Sequence, residues 1–123
     1  MSPPNAYKPV NVLLVDDDDT IRQMLRIALG VQDGVGEVLE ASDGREALEA
    51  CKLFVPDLIL LDYWMPTMDG ATAAPILREM APQAQIVAFS GVLDRKPQWA
   101  DEWVLKGEMP DLEVLIDLCH AAG

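Results

Sequence analysis

Pro56-Asp57-Leu58-Ile59-Leu60-Leu61-Asp62-Tyr63-Trp64-Met65-Pro66-Thr67-Met68-Asp69-Gly70 joins an unbroken apolar run to an acidic, proline-bearing loop. Leu58 to Leu61 read as a strand buried on both faces, which is the mark of a parallel sheet covered on each side. The run stops at a carboxylate, Asp62, which places that acid at the strand's C-terminal end. In open α/β sheets ligands bind in the crevice beyond those ends, so Asp62 is a candidate working group. Pro66 restricts the loop that follows, and Asp69-Gly70 can cap and open a helix.

Working outward, the same pattern recurs. Val12 to Val15 form a second buried run that ends in four aspartates, Asp16 to Asp19. Ile21, Met24, Leu25 and Ala28 then give a helical stripe that Gly30 can close. Glu37 to Ala41 alternate as an edge strand would, and Asp43 with Glu46 has the spacing of a capping box before a helix buried through Ala47, Leu48, Cys51 and Phe54. A helix from about Gly70 to Met80 would bury Ala73, Ile76, Leu77 and Met80, with a kink or late start at Pro75. Ile86 to Phe89 make a strand ending at Ser90-Gly91, and Trp103 to Leu105 a short one ending at Lys106-Gly107. The cramped segment between them, holding Pro97, leaves room for little more than one or two helical turns. A last helix can start at Pro110 and bury Leu112, Leu115, Ile116 and Cys119.

Strands alternating with helices imply a doubly wound five-stranded parallel α/β sheet, with all strand C-termini at one edge. That edge collects Asp16, Asp17, Asp62, Ser90 and Lys106. Carboxylates about 4 Å apart repel by about 4 kcal/mol per pair at an effective dielectric near 20, unless a cation offsets them. Magnesium takes hard oxygen ligands and keeps waters and phosphate oxygens. An ammonium and a hydroxyl beside it suit a phosphoryl group, and a carboxylate nucleophile so placed makes an aspartyl-phosphate site.

Composition sets limits on partners. The chain has 123 residues and a formal charge of −12, from 21 acids against 9 bases, which disfavours direct contact with nucleic acid phosphates or anionic membrane. No apolar run approaches the length of a membrane span, and Met1 to Pro9 reads as a disordered arm without the features of a signal peptide. A cytoplasmic location follows as the expectation. Cys51 and Cys119 fall within helical apolar patterns and read as core thiols.

With these motifs in place, V-L-L-V-D-D, L-L-D-Y-W-M-P-T-M-D-G, F-S-G and W-V-L-K-G, the chain resembles the receiver domain of bacterial two-component response regulators over residues 10–122. The resemblance implies a sheet of strand order 2-1-3-4-5. It implies that Asp62 accepts a phosphoryl group from a sensor histidine kinase or phosphotransfer protein, in a Mg2+-dependent reaction that switches binding to an output protein. It further implies that Asp17, Asp62 and the Trp64 backbone carbonyl hold Mg2+, with Asp16 contributing through water. Lys106 and Ser90 would contact the phosphoryl oxygens, and Trp103 matches the family's switch aromatic. Trp64 and Val92 resemble positions flanking the path of hydrolytic water, and their apolar character implies a long-lived phosphorylated form. On this reading the chain is no enzyme beyond its own phosphorylation and dephosphorylation.

Two departures stand out. The fourth helix, between the fourth and fifth strands, is expected to be shortened or missing, which removes part of the family's usual dimer surface. Lys106 is followed by Gly107 where many members carry proline. An alternative from another class exists: Asp16-x-Asp18-x-Thr20 after a strand resembles the nucleophile motif of haloacid-dehalogenase-type phosphatases, with Asp16 as nucleophile and Asp62 incidental. That family needs an acidic metal motif after its lysine, whereas Asp111 and Asp117 fall in a helical pattern.

Overall fold

The computed structural model describes residues 8–91, 95–107 and 109–122, so the expected arm falls almost wholly outside the described residues. The order of elements is β1 (Val10–Val15), α1 (Asp19–Gly30), β2 (Val35–Ala41), α2 (Gly44–Ala50), β3 (Leu58–Asp62), α3 (Gly70–Met80), β4 (Gln85–Ser90), β5 (Glu102–Leu105) and α4 (Leu112–Ala122). The strands form one sheet in the order β2-β1-β3-β4-β5, every pair parallel. The strand order and the alternation are those expected from the sequence.

Alternation along each strand divides the core in two. Leu13, Val15, Ile59, Leu61 and Ile86 face α2 and α3, packing on Ala47, Ala73, Ala74 and Leu77. Val12, Leu14, Leu58, Leu60, Val87 and Phe89 face α1 and α4, packing on Leu25, Leu29, Leu115 and Ile116. All five residues of β3 are buried, as its unbroken apolar run demands. The edge strands differ: β2 and β5 each carry exposed positions.

Several boundaries differ from expectation for local reasons. Helix α2 ends at Ala50 with Cys51 as its cap, so Phe54 packs on the core from beyond the helix. Helix α3 begins at Gly70 with no late start, because Asp69 accepts the Thr72 amide at 2.9 Å and fixes the first turn ahead of Pro75. Its buried face is Gly70, Ala73, Ala74 and Leu77, while Ile76 is exposed. Met24 on α1 is also turned outward. Helix α4 starts at Leu112, because Asp111 accepts the Val114 amide at 3.2 Å and takes the cap position; Pro110 lies buried just before it. Cys51 and Cys119 are free thiols on opposite faces of the sheet. The Cys119 thiol, pushed up to about 12 by burial and then by Asp57, faces the Asp57 carbonyl at 3.4 Å.

Among the described residues no helix joins β4 to β5. The Asp101 amide donates to the Ile86 carbonyl at 2.7 Å and the Ala100 amide to the Pro97 carbonyl at 3.2 Å, and side chains reinforce this connection. Asp101 accepts from the Ile86 amide at 2.8 Å and from Arg78 Nη2 at 2.7 Å, and Arg78 Nη1 donates to the Ala84 carbonyl at 2.7 Å. Lys96 donates to the Ala100 carbonyl at 2.9 Å, and Trp99 packs on the core beneath α3.

Candidate functional site

The register of the strands brings four chain-distant groups to one edge. Asp62 ends β3 opposite Phe89, Ser90 ends β4 opposite Leu105, Asp16 follows β1, and Lys106 follows β5, its amide donating to the Ser90 carbonyl at 2.9 Å. Asp16, Asp62 and Ser90 are the buried polar side chains among the described residues. Asp17 is exposed at the rim. One carboxylate oxygen from each of Asp16, Asp17 and Asp62 lies within 4.8 Å of the others, a spacing that fits a divalent cation with oxygen ligands.

Lys106 reaches over this cluster. Its Nζ is 2.8 Å from Asp16 Oδ2 and 3.0 Å from Asp62 Oδ2, and 5.9 Å from the centre of the Phe89 ring. Burial opposes its charge, but the hydrogen bonds to Asp16 and Asp62 win and raise its pKa. The Asp62 carboxyl is pushed up to about 7, by burial first and then by the Asp16 charge, with Lys106 pulling the other way. Three acids against one ammonium leave negative charge uncompensated, the electrostatic condition under which a cation is held.

The four aspartates after β1 divide their work. Asp16 and Asp17 enter the cluster, and Asp16 Oδ1 accepts the Asp18 amide at 2.9 Å. Asp18 caps α1, accepting from the Thr20 and Ile21 amides at 2.9 and 3.2 Å. Asp19 pairs with Arg22.

The loop after Asp62 is clamped by its own backbone. The Gly70 amide donates to the Tyr63 carbonyl at 3.0 Å, the Met68 amide to the Pro66 carbonyl at 2.7 Å, and the Gly44 amide to the Met68 carbonyl at 3.1 Å. A β-carbon on Gly70 would overlap the Asp62 carbonyl oxygen and lie 3.3 Å from Tyr63 Cα, so no other residue fits between the end of β3 and the start of α3. Thr67 holds a φ of 70°. Tyr63 meets Trp64 edge-on at 5.6 Å and lies across Trp99 at 6.2 Å between ring centres. Trp64 itself is 63% exposed, and Val92 lies outside the described residues. After Lys106, Gly107 takes a φ of 99°, which proline cannot adopt, so the missing proline reflects a different local backbone.

The residues expected from the sequence, Asp16, Asp17, Asp62, Ser90 and Lys106, do meet at this edge. Sequence reasoning missed the Lys106–Asp16 pair, having assigned the lysine to the phosphoryl oxygens. It also missed Arg22, whose only sequence signal is its spacing of three from Asp19 on a helix. The phosphatase alternative required Asp62 to be incidental; instead Asp62 is buried beside Asp16 and paired with the same lysine.

Fold and site together define a doubly wound α/β protein with an acidic pocket and a lysine at the C-terminal edge of its sheet. The sequence model of the response regulator receiver domain matches residues 12–101. The nitrate/nitrite response regulator NarL of Escherichia coli is 33% identical over 121 residues, covering 94% of this chain and 55% of that protein. The chemotaxis protein CheY of Bacillus subtilis is 35% identical over 101 residues, 77% of this chain and 83% of its own length. The structure of Vibrio cholerae chemotaxis protein CheY4 superposes with a TM-score of 0.74 at 30% identity, covering 94% of this chain and 99% of that one. The chain belongs to the response regulator receiver domain family, and spans about half the length of the NarL protein it matches. It is a receiver domain of the two-component type. Among the described residues no helix is long and apolar enough to cross a membrane.

Proposed function

We propose that residues 10–122 act as a phosphoacceptor domain in which Asp62 takes a phosphoryl group from a phosphohistidine of a sensor kinase or phosphotransfer protein. The observation that carries this reading is the convergence of the Asp16, Asp17 and Asp62 carboxylates with Lys106 Nζ at the strand ends. A carboxylate oxygen of Asp62 attacks phosphorus, the new P–O bond forms as the P–N bond breaks, and the donor imidazole keeps the electron pair. Asp16, Asp17, Asp62 and the Trp64 carbonyl are the groups proposed to hold Mg2+. That ion would neutralise charge on the transferring phosphoryl oxygens and favour the ionised form of Asp62.

Lys106 has two partners to exchange. Its bond to Asp62 can pass to a phosphoryl oxygen while its bond to Asp16 keeps the ammonium in place. Ser90, buried at the same edge, would donate to another phosphoryl oxygen, and Trp103 on β5 is the proposed switch aromatic. The output is a change in affinity for a partner protein, in the cytoplasm, with no chemistry on other substrates. Because α-helix is lacking between β4 and β5 among the described residues, activation is not expected to create a dimer through the 91–103 face.

The test is mass-spectrometric mapping after incubation with Mg2+ and acetyl phosphate. Wild type should gain one phosphoryl group on Asp62 and Asp62→Asn none, with Asp18→Asn still modified. Modification at Asp16 or Asp18 with none at Asp62 would overturn the assignment.

A further inference from the structure

The turn of four aspartates after β1 is tied down by one cation that the reaction does not use. Arg22, on the second turn of α1, has a side chain only 13% exposed. Its Nη1 donates to the Asp16 backbone carbonyl and its Nη2 pairs with the Asp19 carboxylate. Its Nε donates to Glu40 Oε1 on β2 at 3.1 Å. Glu40 is anchored separately: its Oε2 accepts from Arg26 Nε at 2.6 Å, and Arg26 Nη2 also donates to the Val38 carbonyl at 3.0 Å. Arg22 therefore ties the start of the acidic turn to a fixed point on the neighbouring strand, using the planar fork that lysine lacks.

Consecutive aspartates repel one another, and the turn is held against that repulsion: the Asp16 amide donates to the Ala41 carbonyl at 3.1 Å, the Asp18 amide to Asp16 Oδ1 at 2.9 Å, and Arg22 donates to the Asp16 carbonyl. The Asp16 carbonyl is where the turn leaves β1. Holding that carbonyl from outside sets the direction in which the Asp16 and Asp17 side chains leave the backbone. We propose that Arg22 is a positioning residue of the divalent-cation site, fixing the Asp16–Asp17 backbone so that both carboxylates meet Asp62. The inference rests on the Mg2+ site of the preceding section and adds to it the group that shapes it.

Electrostatics and positioning here predict opposite signs. A guanidinium near the cluster repels an incoming cation, so if charge were all that Arg22 supplied, removing it would tighten Mg2+ binding. Positioning requires the reverse. The experiment is a Mg2+ titration of the full chain followed by backbone-amide NMR, with folding of each variant confirmed by thermal melting. Arg22→Gln should weaken Mg2+ about tenfold or more, the usual consequence of removing an outer-shell partner. Arg22→Lys, which keeps the charge but cannot bridge three acceptors, should weaken it in the same direction. Lys52→Gln removes an exposed cation paired with Glu49, outside this network, and should leave Mg2+ affinity unchanged.

Wild-type binding with equal or tighter binding in folded Arg22→Gln overturns the inference and leaves the Mg2+ site standing. Should Arg22→Gln fail to fold, Arg22→Lys and Glu40→Gln decide the matter, and unaltered Mg2+ affinity in both overturns it. Wild type that binds no Mg2+ at millimolar concentration overturns the site itself, and the inference with it.

Discussion

The loop from β3 to α3 and the connection from β4 to β5 leave the same edge of the sheet, and they differ in how far side chains hold them. In the first, backbone amides of Gly70, Met68 and Gly44 bond to backbone carbonyls, and the Asp69 side chain adds the cap on α3. In the second, where the sequence leaves no room for a full helix, the backbone bonds from the Asp101 amide to the Ile86 carbonyl and from the Ala100 amide to the Pro97 carbonyl are reinforced by the side chains of Arg78, Asp101 and Lys96. The path of the loop after Asp62 is thereby set mainly by backbone bonds. The β4–β5 side depends more on polar side-chain contacts that single substitutions can remove.

The sharpest way to break the contrast is a pair of glycine substitutions at the two ends. Gly70→Ala forces a β-carbon into the Asp62 carbonyl, and overpacking of this kind against backbone should cost about 3 kcal/mol. Gly91→Ala, at the start of the other connection, meets among the described residues only Lys106 Cβ at 3.9 Å and should change little. Urea unfolding of both variants measures it. Equal destabilisation would mean that the close approach at Gly70 relaxes freely.

Next comes the side-chain pin. Asp101→Ala leaves the Ile86 amide and Arg78 without their shared acceptor, which should cost on the order of 1 to 3 kcal/mol. Uptake of phosphoryl by Asp62 should survive, because the pocket's own contacts lie elsewhere. A variant with unchanged stability would show that another contact holds the β4–β5 connection.

Much of this was legible beforehand, and the reasons are physical. Buried parallel strands announce themselves as apolar runs, and their topology then fixes which residues share an edge, so Asp16, Asp62, Ser90 and Lys106 could be brought together from spacing alone. That the helix before β5 would be shortened or missing followed from chain length, and among the described residues none is found there. What stayed hidden depended on side-chain direction and on caps. Pro110 looks like a helix start, yet Asp111 captures the Val114 amide and moves the start to Leu112. Ile76 and Met24 match the apolar period but sit on the exposed flank of their helices. Arg22 carries no motif, and only the fold puts Asp16 and Glu40 within its reach.

A pH series separates the two regions by charge. The Asp62 carboxyl, raised to about 7 when folded, has an ordinary value near 3.8 when unfolded. Between those values the folded chain keeps a proton that the unfolded chain has lost, so stability falls as pH rises through that window and levels off above it. In metal-free buffer, wild type should therefore lose stability relative to Asp62→Asn on going from about pH 4 to 7. Added Mg2+ should restore part of the loss at the upper end through preferential binding to the folded state. Parallel pH profiles for the two proteins would show that Asp62 ionises in the folded chain as it does in the unfolded one.

The smallest effect tests whether the backbone-held loop stores strain. Thr67 is a β-branched residue at a φ of 70°, and the Met68 amide bonds to the Pro66 carbonyl across it, closing a γ-turn. Left-handed backbone costs an L-residue about 1 to 2 kcal/mol, a penalty glycine escapes. Glycine in turn loses more freedom on folding, by roughly 0.5 to 1 kcal/mol relative to alanine. The two nearly cancel, so Thr67→Gly should stabilise the protein by less than about 1 kcal/mol. Thr67 is exposed, and its replacement removes no packing that would offset the gain. A small rise in the urea midpoint at unchanged slope, with Mg2+ affinity retained, is the expected result. A fall would mean that Thr67 relieves more than it costs, and that the loop owes its shape to that side chain as well as to its backbone bonds.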